Sequence, residues 1–283
     1  MQTFDTPQPI SASVDIAMGP VRVTTDDTGT TLVDVRPSDD TNEEDVWAAQ
    51  QTSVDFANDR LNVSGPKFRL SWLGRNRGGS IEVAISLPGG SDLDVMTGMG
   101  DVSAQGQMGD CRIRTGLGQI QLDEVATLSV KSGAGKVDVE RAAGPVDLTA
   151  GSGSVRIGEI DGSALVKNSN GATWIGLANQ DLRVKAANGG IAIDHARADV
   201  SATSANGSVS VGEVERGSIV LQTSIGDLDV GISDGVSAWI DAKATAGTVR
   251  NTLEASGAPD QSADTVEVTA RTTVGEINIR RAP

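Results

Sequence analysis

Side chains suited to acid–base or metal chemistry are scarce in this chain. His195 is the only histidine and Cys111 the only cysteine among 283 residues. A Ser-His-Asp triad would have to use His195, and Asp194 precedes it, but adjacent residues of a strand point to opposite faces of a sheet. A zinc site needs several Cys or His ligands. The sequence therefore predicts no catalytic residue, no metal site and no cofactor.

Motifs for phosphate and calcium are missing as well. The Gly-x-Gly steps lack the strand–helix context of a dinucleotide site or P-loop, and no nine-residue calcium-binding repeat occurs. The 38 acidic residues leave a carboxylate pair of the glycosidase type open. Trp174 stands where other repeats have a polar outward residue. We interpret it as a candidate for stacking on a sugar or protein ligand, with local packing as the alternative.

One segment departs from the acidic background. Residues 66–79 read PKFRLSWLGRNRGG, with four cations and no acid. Trp and Arg are enriched at binding hot spots, and basic–aromatic segments suit anionic membrane surfaces. An exposed loop here would contact a protein partner or a membrane periphery; alternatively, its apolar residues pack on the fold and its arginines face the acidic surface. The candidate contact residues are Lys67, Phe68, Arg69, Trp72, Arg75 and Arg77.

A regular repeat carries these residues. A glycine recurs at successive intervals of 18, 17, 18, 18, 18, 18, 19, 21 and 28 residues. A constant period near this length is typical of a coil that stacks on itself. The longer final intervals predict a loop followed by a terminal strand pair. The glycines are Gly100, Gly118, Gly135, Gly153, Gly171, Gly189, Gly207, Gly226, Gly247 and Gly275.

Apolar residues follow the same period. They stand two and four residues after each glycine, as at Ile120 and Leu122, and seven and five residues before it, as at Leu93 and Val95. Such alternation predicts two short strands per rung, each with one buried face. A third apolar column, seven residues after the glycine, leaves a flattened two-sided coil and a triangular coil both open. That column comprises Val125, Ala142, Ile160, Ala178, Ala196 and Val214.

The turns between the two strands are rich in Gly and Asn, which tolerate positive φ. Asn170, Asn188 and Asn206 precede the glycine in three successive rungs. We expect them to stack and to form an amide ladder along one edge. Cys111 stands where other rungs have Leu or Val, so we expect a buried, unreactive thiol.

Composition narrows the partners and the location. The formal net charge is −15, whereas nucleic-acid binding needs a basic stripe; nucleic acid is not expected as a partner. Residues 1–10 have neither the basic nor the apolar region of a signal peptide. No apolar run approaches the length of a membrane helix. These features predict a cytoplasmic protein.

The repeat predicts an all-β fold: a parallel β-solenoid, or β-helix, of about ten rungs of roughly 18 residues. We expect residues 1–90 to form an irregular β region that caps the coil, with a short helix or loop in 39–51, and residues 91–283 to form the repetitive solenoid. Strands are expected near 52–56, 60–63 and 80–87, and the last ones near 266–269 and 276–279.

The repeated text also resembles a known family. The stretch LSVKSGAGKVDVERAAGPVDLTAGSGSVRIGEI, the later ANGSVSVGEV and TTVGEINI, and the opening MQTFDTPQPISASVDIAMGPVRV resemble the DUF4097 family, the adhesin-like β-repeat proteins of bacteria, and actinobacterial members in particular. The resemblance covers nearly the whole chain. It implies a parallel β-solenoid and no catalytic residues.

Together these features predict a non-catalytic scaffold or interaction protein, with a protein partner or self-association and no small-molecule substrate. Two alternatives stay open. One is a self-assembling element that stacks end to end, as bactofilin-like coils do. The other is a carbohydrate-binding or carbohydrate-active β-helix protein.

Overall fold

The computed structural model describes residues 1–66, 79–253 and 265–283. The chain divides into two compact units, Met1–Glu140 and Arg141–Pro283. Almost all regular structure is β, and the one helix among the described residues is short. The predicted boundary at residue 90 stays a prediction.

The first unit combines an irregular N-terminal β region with regular rungs. The expected short helix is present, with Asn42 as its N-cap accepting a hydrogen bond from the Glu44 amide. The elements are β1 (Gln2–Asp5), β2 (Ser11–Met18), β3 (Val21–Asp26), β4 (Thr30–Pro37), α1 (Glu43–Gln51), β5 (Ser53–Ala57), β6 (Arg60–Ser64), β7 (Ile81–Pro88), β8 (Asp92–Met99), β9 (Val102–Leu117), β10 (Ile120–Ala134) and β11 (Val137–Ala142).

The second unit begins within β11 and continues with strand pairs. The first strand of each pair precedes the turn glycine and the second follows it. The remaining elements are β12 (Val146–Ser152), β13 (Val155–Ile160), β14 (Ala164–Asn170), β15 (Thr173–Ala178), β16 (Leu182–Asn188), β17 (Ile191–Ala196), β18 (Val200–Asn206), β19 (Val209–Val214), β20 (Gly217–Ile225), β21 (Leu228–Ile232), β22 (Ser237–Ala246), β23 (Val249–Asn251), β24 (Thr265–Val274) and β25 (Ile277–Arg281).

Each rung lies in parallel register with the next one, which confirms the predicted β-solenoid. In the second unit, Val166 of β14 aligns with Leu148 of β12 on one side and with Val184 of β16 on the other. Because identical positions of successive rungs are neighbours, apolar residues form continuous buried columns. No single rung could bury these side chains by itself.

The predicted core columns are buried, including the third one. Ile160, Ala178 and Val214 of that column are at most 2% exposed. They lie at the ends of the second strands and form a buried corner of the rung. Cys111 is 2% exposed in the column that Leu93 and Leu128 share, as predicted.

The turn glycines are required by their backbone. Gly189 has φ +152°, a conformation that side chains with a Cβ rarely adopt, and a Cβ there would overlap the carbonyl oxygen of Gly171 in the preceding rung. Gly207 is placed in the same way on Gly189. The fixed glycine period therefore follows from the close approach of one turn to the next.

The predicted asparagine ladder is present beside these turns. Asn188 Nδ2 donates to Asn170 Oδ1 at 2.9 Å, and Asn206 Nδ2 donates to Asn188 Oδ1 at 3.0 Å. The three side chains are exposed. Amide side chains can do this because each carries both a donor and an acceptor.

The order of the last rungs differs from the order in the chain, which corrects the expectation of a simple terminal strand pair. The final strands β24 and β25 pair with β20 and β21 on one side and with β22 and β23 on the other. The rung formed by the last residues therefore lies inside the stack. The rung β22–β23 lies outside it, and its inward residues are half-buried or exposed.

The first unit shows the same arrangement. Its first rung, β2–β3, pairs with β8 and β9 on one side and with β6 and β7 on the other. Helix α1 is anchored to this end through Asp45, a buried carboxylate that accepts hydrogen bonds from the amides of Ser80 and Asp39. Asp45 is thus a structural acid.

Candidate functional site

The predicted basic contact segment falls between β6 and β7. Its candidate residues lie outside the described residues, so a partner or membrane contact there stays a prediction. These residues are Lys67, Phe68, Arg69, Trp72, Arg75 and Arg77.

His195 lies at the surface beside an acid. Its Nδ1 lies 3.1 Å from Oε2 of Glu213 in the next rung. The expectation that Asp194 and His195 face opposite sides is wrong, because both are exposed. Ile193 and Ala196 point inward with two residues between them instead of one, as at the corresponding corner of β13, β15 and β19, so two consecutive residues lie outside. Asp194 is hydrogen-bonded to Trp174 instead.

Charged side chains at the corner of the second unit neutralise one another from rung to rung. Arg141 Nη2 donates to Asp161 at 2.7 Å, and Asn179 Nδ2 donates to the same carboxylate at 2.6 Å. Arg197 then joins Asn179 to Glu215, with donor–acceptor distances of 3.1 Å to each. The hydrogen bond from Arg141, followed by that from Asn179, lowers the pKa of Asp161. This corner is a self-satisfied polar network.

Trp174 is half-buried by its neighbours. The guanidinium of Arg156, one rung away, lies 4.3 Å from the ring centroid. The indole Nε1 donates to Asp194 Oδ1 at 3.1 Å. A Cβ on Gly176 would overlap the Gly158 carbonyl oxygen and lie 3.0 Å from the ring, so the glycine leaves space for both. The ring has local packing partners, and its role in ligand stacking stays a prediction.

A column of outward residues on the first strands of the second unit has a different character. Each member is in register with the next. Four members are cations, three are uncharged and none is acidic. We call this set the basic column: Thr149, Lys167, Lys185, Thr203, Gln222, Arg271 and Lys243.

Most cations of this face have no counter-charge. Arg183 lies next to the basic column, two residues before Lys185 on β16. Lys167, Lys185, Arg183 and Lys243 are exposed, and within the described residues none of the four forms an ion pair. Arg271 is the exception, because it binds Asp241.

A shallow cleft of about 390 Å³ opens over one end of the basic column. Its walls carry Thr203, Gln222, Arg271 and Lys243, together with hydroxyl residues such as Ser224 and Thr273. Trp239 lies on the same strand as Lys243 and is 72% exposed. This surface offers cations, hydroxyl groups and one aromatic ring, together with the exposed acids Asp241 and Glu267 beside the ring.

Sequence reasoning missed the basic column, although the signal was present. Lys167, Lys185 and Thr203 are spaced by the same 18 residues as the glycines. Applying the period to outward positions, as well as to buried ones, would have placed them in one line.

Other kinds of site find no support in the described part of the chain. There, no three His, Cys, Asp or Glu side chains are grouped so that they could hold a metal ion. Over those same residues, no helix has the length and apolar character needed to cross a membrane.

A family model described as Toastrack DUF4097 matches residues 13–280. This chain belongs to the Toastrack DUF4097 family. The match spans the described rungs of both units, in agreement with the resemblance noted from the repeated text. A comparison with curated proteins found no match.

Solved structures similar to this Toastrack chain come from bacteria. A candidate adhesin from Bacteroides fragilis NCTC 9343 is 11% identical, with 98% of this chain and 95% of that chain covered and a TM-score of 0.36. A candidate cell adhesion protein from Clostridium sporogenes ATCC 15579 is also 11% identical, with 99% and 98% covered and a TM-score of 0.21.

Proposed function

We propose that this Toastrack protein is a non-catalytic interaction scaffold whose working surface is the first-strand face of the second unit. The observation that carries the proposal is a contrast in charge pairing. Arg141 and Arg197 each pair with an acid of the next rung, whereas Lys167, Arg183 and Lys185 are exposed without such a partner within the described residues.

The repeated frame supports this role. Rung-to-rung hydrogen bonds and buried columns hold the outward side chains at regular spacing, about 4.8 Å from one rung to the next. A binding surface built on such rigid strands needs little ordering when a partner docks. The acids Asp161 and Glu213 are engaged with arginine, asparagine or histidine in neighbouring rungs, which suits a structural role for them.

Two triple variants test the working surface. The column variant carries Ser in place of Lys167, Arg183 and Lys185. The control variant carries Ser in place of Arg22, Arg60 and Lys136 of the first unit. Each removes three exposed cations and lowers the formal net charge from −15 to −18 (−15 − 3). We expect the native protein and the control variant to bind saturably to components in a fraction prepared from the host cell. The column variant should not bind them.

Catalysis is tested separately. The native protein is incubated with glycans and nucleotides, and product formation should not exceed that of a blank. Saturable turnover that disappears in Glu213→Gln or Asp194→Asn would overturn the non-catalytic role.

Self-association and location need their own measurements. Light scattering over a range of concentrations distinguishes end-to-end assembly from a single species, and fractionation of the host tests the predicted cytoplasmic location. Oligomers that grow with concentration, and that form equally in the native protein and the column variant, would favour the self-assembling element over the proposed surface.

A further inference from the structure

We infer that the basic column, with Arg183 and Trp239 beside it, binds a linear polysaccharide that carries carboxylate groups. The inference rests on the proposed function, because it assigns a ligand class to the same face. The cations supply the charge, the hydroxyl and amide groups supply further hydrogen bonds, and the indole supplies an apolar plane.

The charge arrangement is the first support. Lys167 is the register neighbour of Lys185, and neither forms an ion pair within the described residues. Arg271 is likewise the neighbour of Lys243, but there Asp241 offsets part of the charge. Like charges at neighbouring positions of paired strands are destabilising. The chain has 38 acids against 23 bases, yet the basic column contains no acid. A ligand that brings negative charge relieves this repulsion.

The uncharged groups are the second support. Thr203 and Gln222 stand between the two pairs of cations, and Ser224, Thr245 and Thr273 line the cleft beside them. Hydroxyl groups donate and accept, and the Gln amide does both as well. Such groups match the hydroxyls of a sugar chain between its carboxylates.

Trp239 is the third support. It is the most exposed of the large apolar side chains within the chain's described segments, apart from the terminal Met1. It lies four residues before Lys243 on β22, and residues an even number apart on a strand share a face. Its register neighbour is Glu267, and Asp241 lies between it and Lys243, so the indole contributes an exposed apolar plane for a sugar ring and no part of the positive charge.

The shape of the surface favours a polymer. From Lys167 to Lys243 the column crosses five rung steps, roughly 24 Å at the strand spacing of a β-sheet. The cleft over it is open rather than enclosed, which does not suit a small molecule that must be surrounded. A protein partner fits less well. The centre of a protein interface is apolar and contains few lysines, whereas the centre of this column consists of hydroxyl, amide and cationic groups.

The experiment uses the full chain and oligomers of polygalacturonate, with the fully methyl-esterified polymer as a neutral ligand of the same backbone. Affinity is measured by calorimetry at 0.05 and 0.5 M salt. We expect binding of the acidic oligomer, a loss of at least tenfold in the column variant and little change in the control variant. Salt should weaken binding, since the Debye length shortens from about 10 Å at 0.1 M to about 3 Å at 1 M.

A second variant separates the stacking contribution. Trp239→Ala should weaken binding several-fold and leave the salt dependence unchanged, because it removes apolar contact and no charge. Circular dichroism and melting curves of each variant test whether it is folded. A variant that has lost its fold is not used to judge affinity.

Several results would overturn the inference. Equal affinity for the methyl ester would remove the role of the carboxylates, and unaltered binding by the column variant would place the ligand elsewhere. Salt-sensitive self-association that the column variant abolishes, without polygalacturonate binding, would identify a second copy of the chain as the occupant. Cleavage of the oligomer with turnover would refute the non-catalytic function while leaving the ligand class intact.

Discussion

The backbone amide of Glu276 donates a hydrogen bond of 2.8 Å to Oδ1 of Asp227, although 49 residues separate them in the chain. The bond joins the turn of the final rung to the turn of the rung that ends in β21. The intervening rung, β22–β23, is displaced to the far side of β24–β25. The last residues are therefore held by neighbours on both sides, and the end of the stack is made by an earlier segment.

This rung order predicts that the smaller of two core truncations costs more stability than the larger one. Val268 is fully buried between Ile219 and Ile240, whereas Ile240 is half-buried. Val268→Ala should cost about 2 kcal/mol of unfolding free energy, and Ile240→Ala about 1 kcal/mol or less, although the second removes more atoms. Guanidinium unfolding measures both. A larger loss for Ile240→Ala would contradict the interposed rung.

A second prediction concerns the turn glycines. Gly189→Ala should destabilise the protein by about 3 kcal/mol or more, because the backbone has a glycine conformation and the new Cβ would overlap the Gly171 carbonyl. The adjacent Gly190 is the matched control: a Cβ there meets only Ser208 O, at 3.4 Å. Gly190→Ala should change stability by less than about 1 kcal/mol. Similar melting temperatures for the two variants would argue against this account of the period.

The asparagine ladder gives a third prediction. Asn188 makes one ladder bond as donor and one as acceptor, whereas Asn206 makes only one, as donor. Since an exposed hydrogen bond contributes about 1 kcal/mol or less, Asn188→Ala should cost roughly twice as much as Asn206→Ala. Chemical denaturation of both variants and of the double variant tests this. The double variant should lose less stability than the sum of the two single losses, because the bond between Asn188 and Asn206 is counted in both of them.

The fourth prediction concerns pH. Burial, and then the nearby charges of Asp92 and Asp110, raise the pKa of the Cys111 thiol from 9.0 to about 12. Above pH 9 this thiol ionises in the unfolded chain but stays protonated in the folded one. Its contribution to the unfolding free energy is therefore fully present below pH 9 and is lost as the pH rises towards 12. The slope from one such group approaches about 1.4 kcal/mol per pH unit.

The comparison with Cys111→Ala isolates that slope, since both proteins share every other titrating group. The variant should lose less stability between pH 9 and 11 than the native protein. In the folded protein at pH 8 the thiol should also resist a disulfide reagent, and it should react on unfolding. Rapid modification of the folded protein would show that Cys111 is accessible.

Local patterns explain why much of the fold could be predicted. Alternation around Ile191 and Ile193 predicts a strand with one buried face, and the glycine at position 189 predicts the bend before it. Because each rung meets a near copy of itself, the same residues also predict buried columns and the stacking of Asn170 on Asn188. Position within the repeat is enough for all of these.

Other features depended on contacts that a repeat pattern does not encode. Asp194 and His195 are both exposed because the rung turns its corner between Ile193 and Ala196. Arg156 covers Trp174 only because the two occupy the same outward position in adjacent rungs. The alignment of Lys167 with Lys185 follows from the period, but their lack of ion pairs within the described residues could be known only from side-chain contacts.

By itself, the sequence determined the repeating unit: its length, its two strands, its turn glycine and its inward columns. These follow from periodicity, which acts within a rung and its copy. Only the tertiary structure decided the order of the rungs at the ends and the distribution of paired and unpaired charge. The apolar columns of all rungs are alike, so that β20 accepts β24 as readily as β22 by pattern alone. The structure places β24 there, and the hydrogen bond from the Glu276 amide to Asp227 is one of the contacts that hold it.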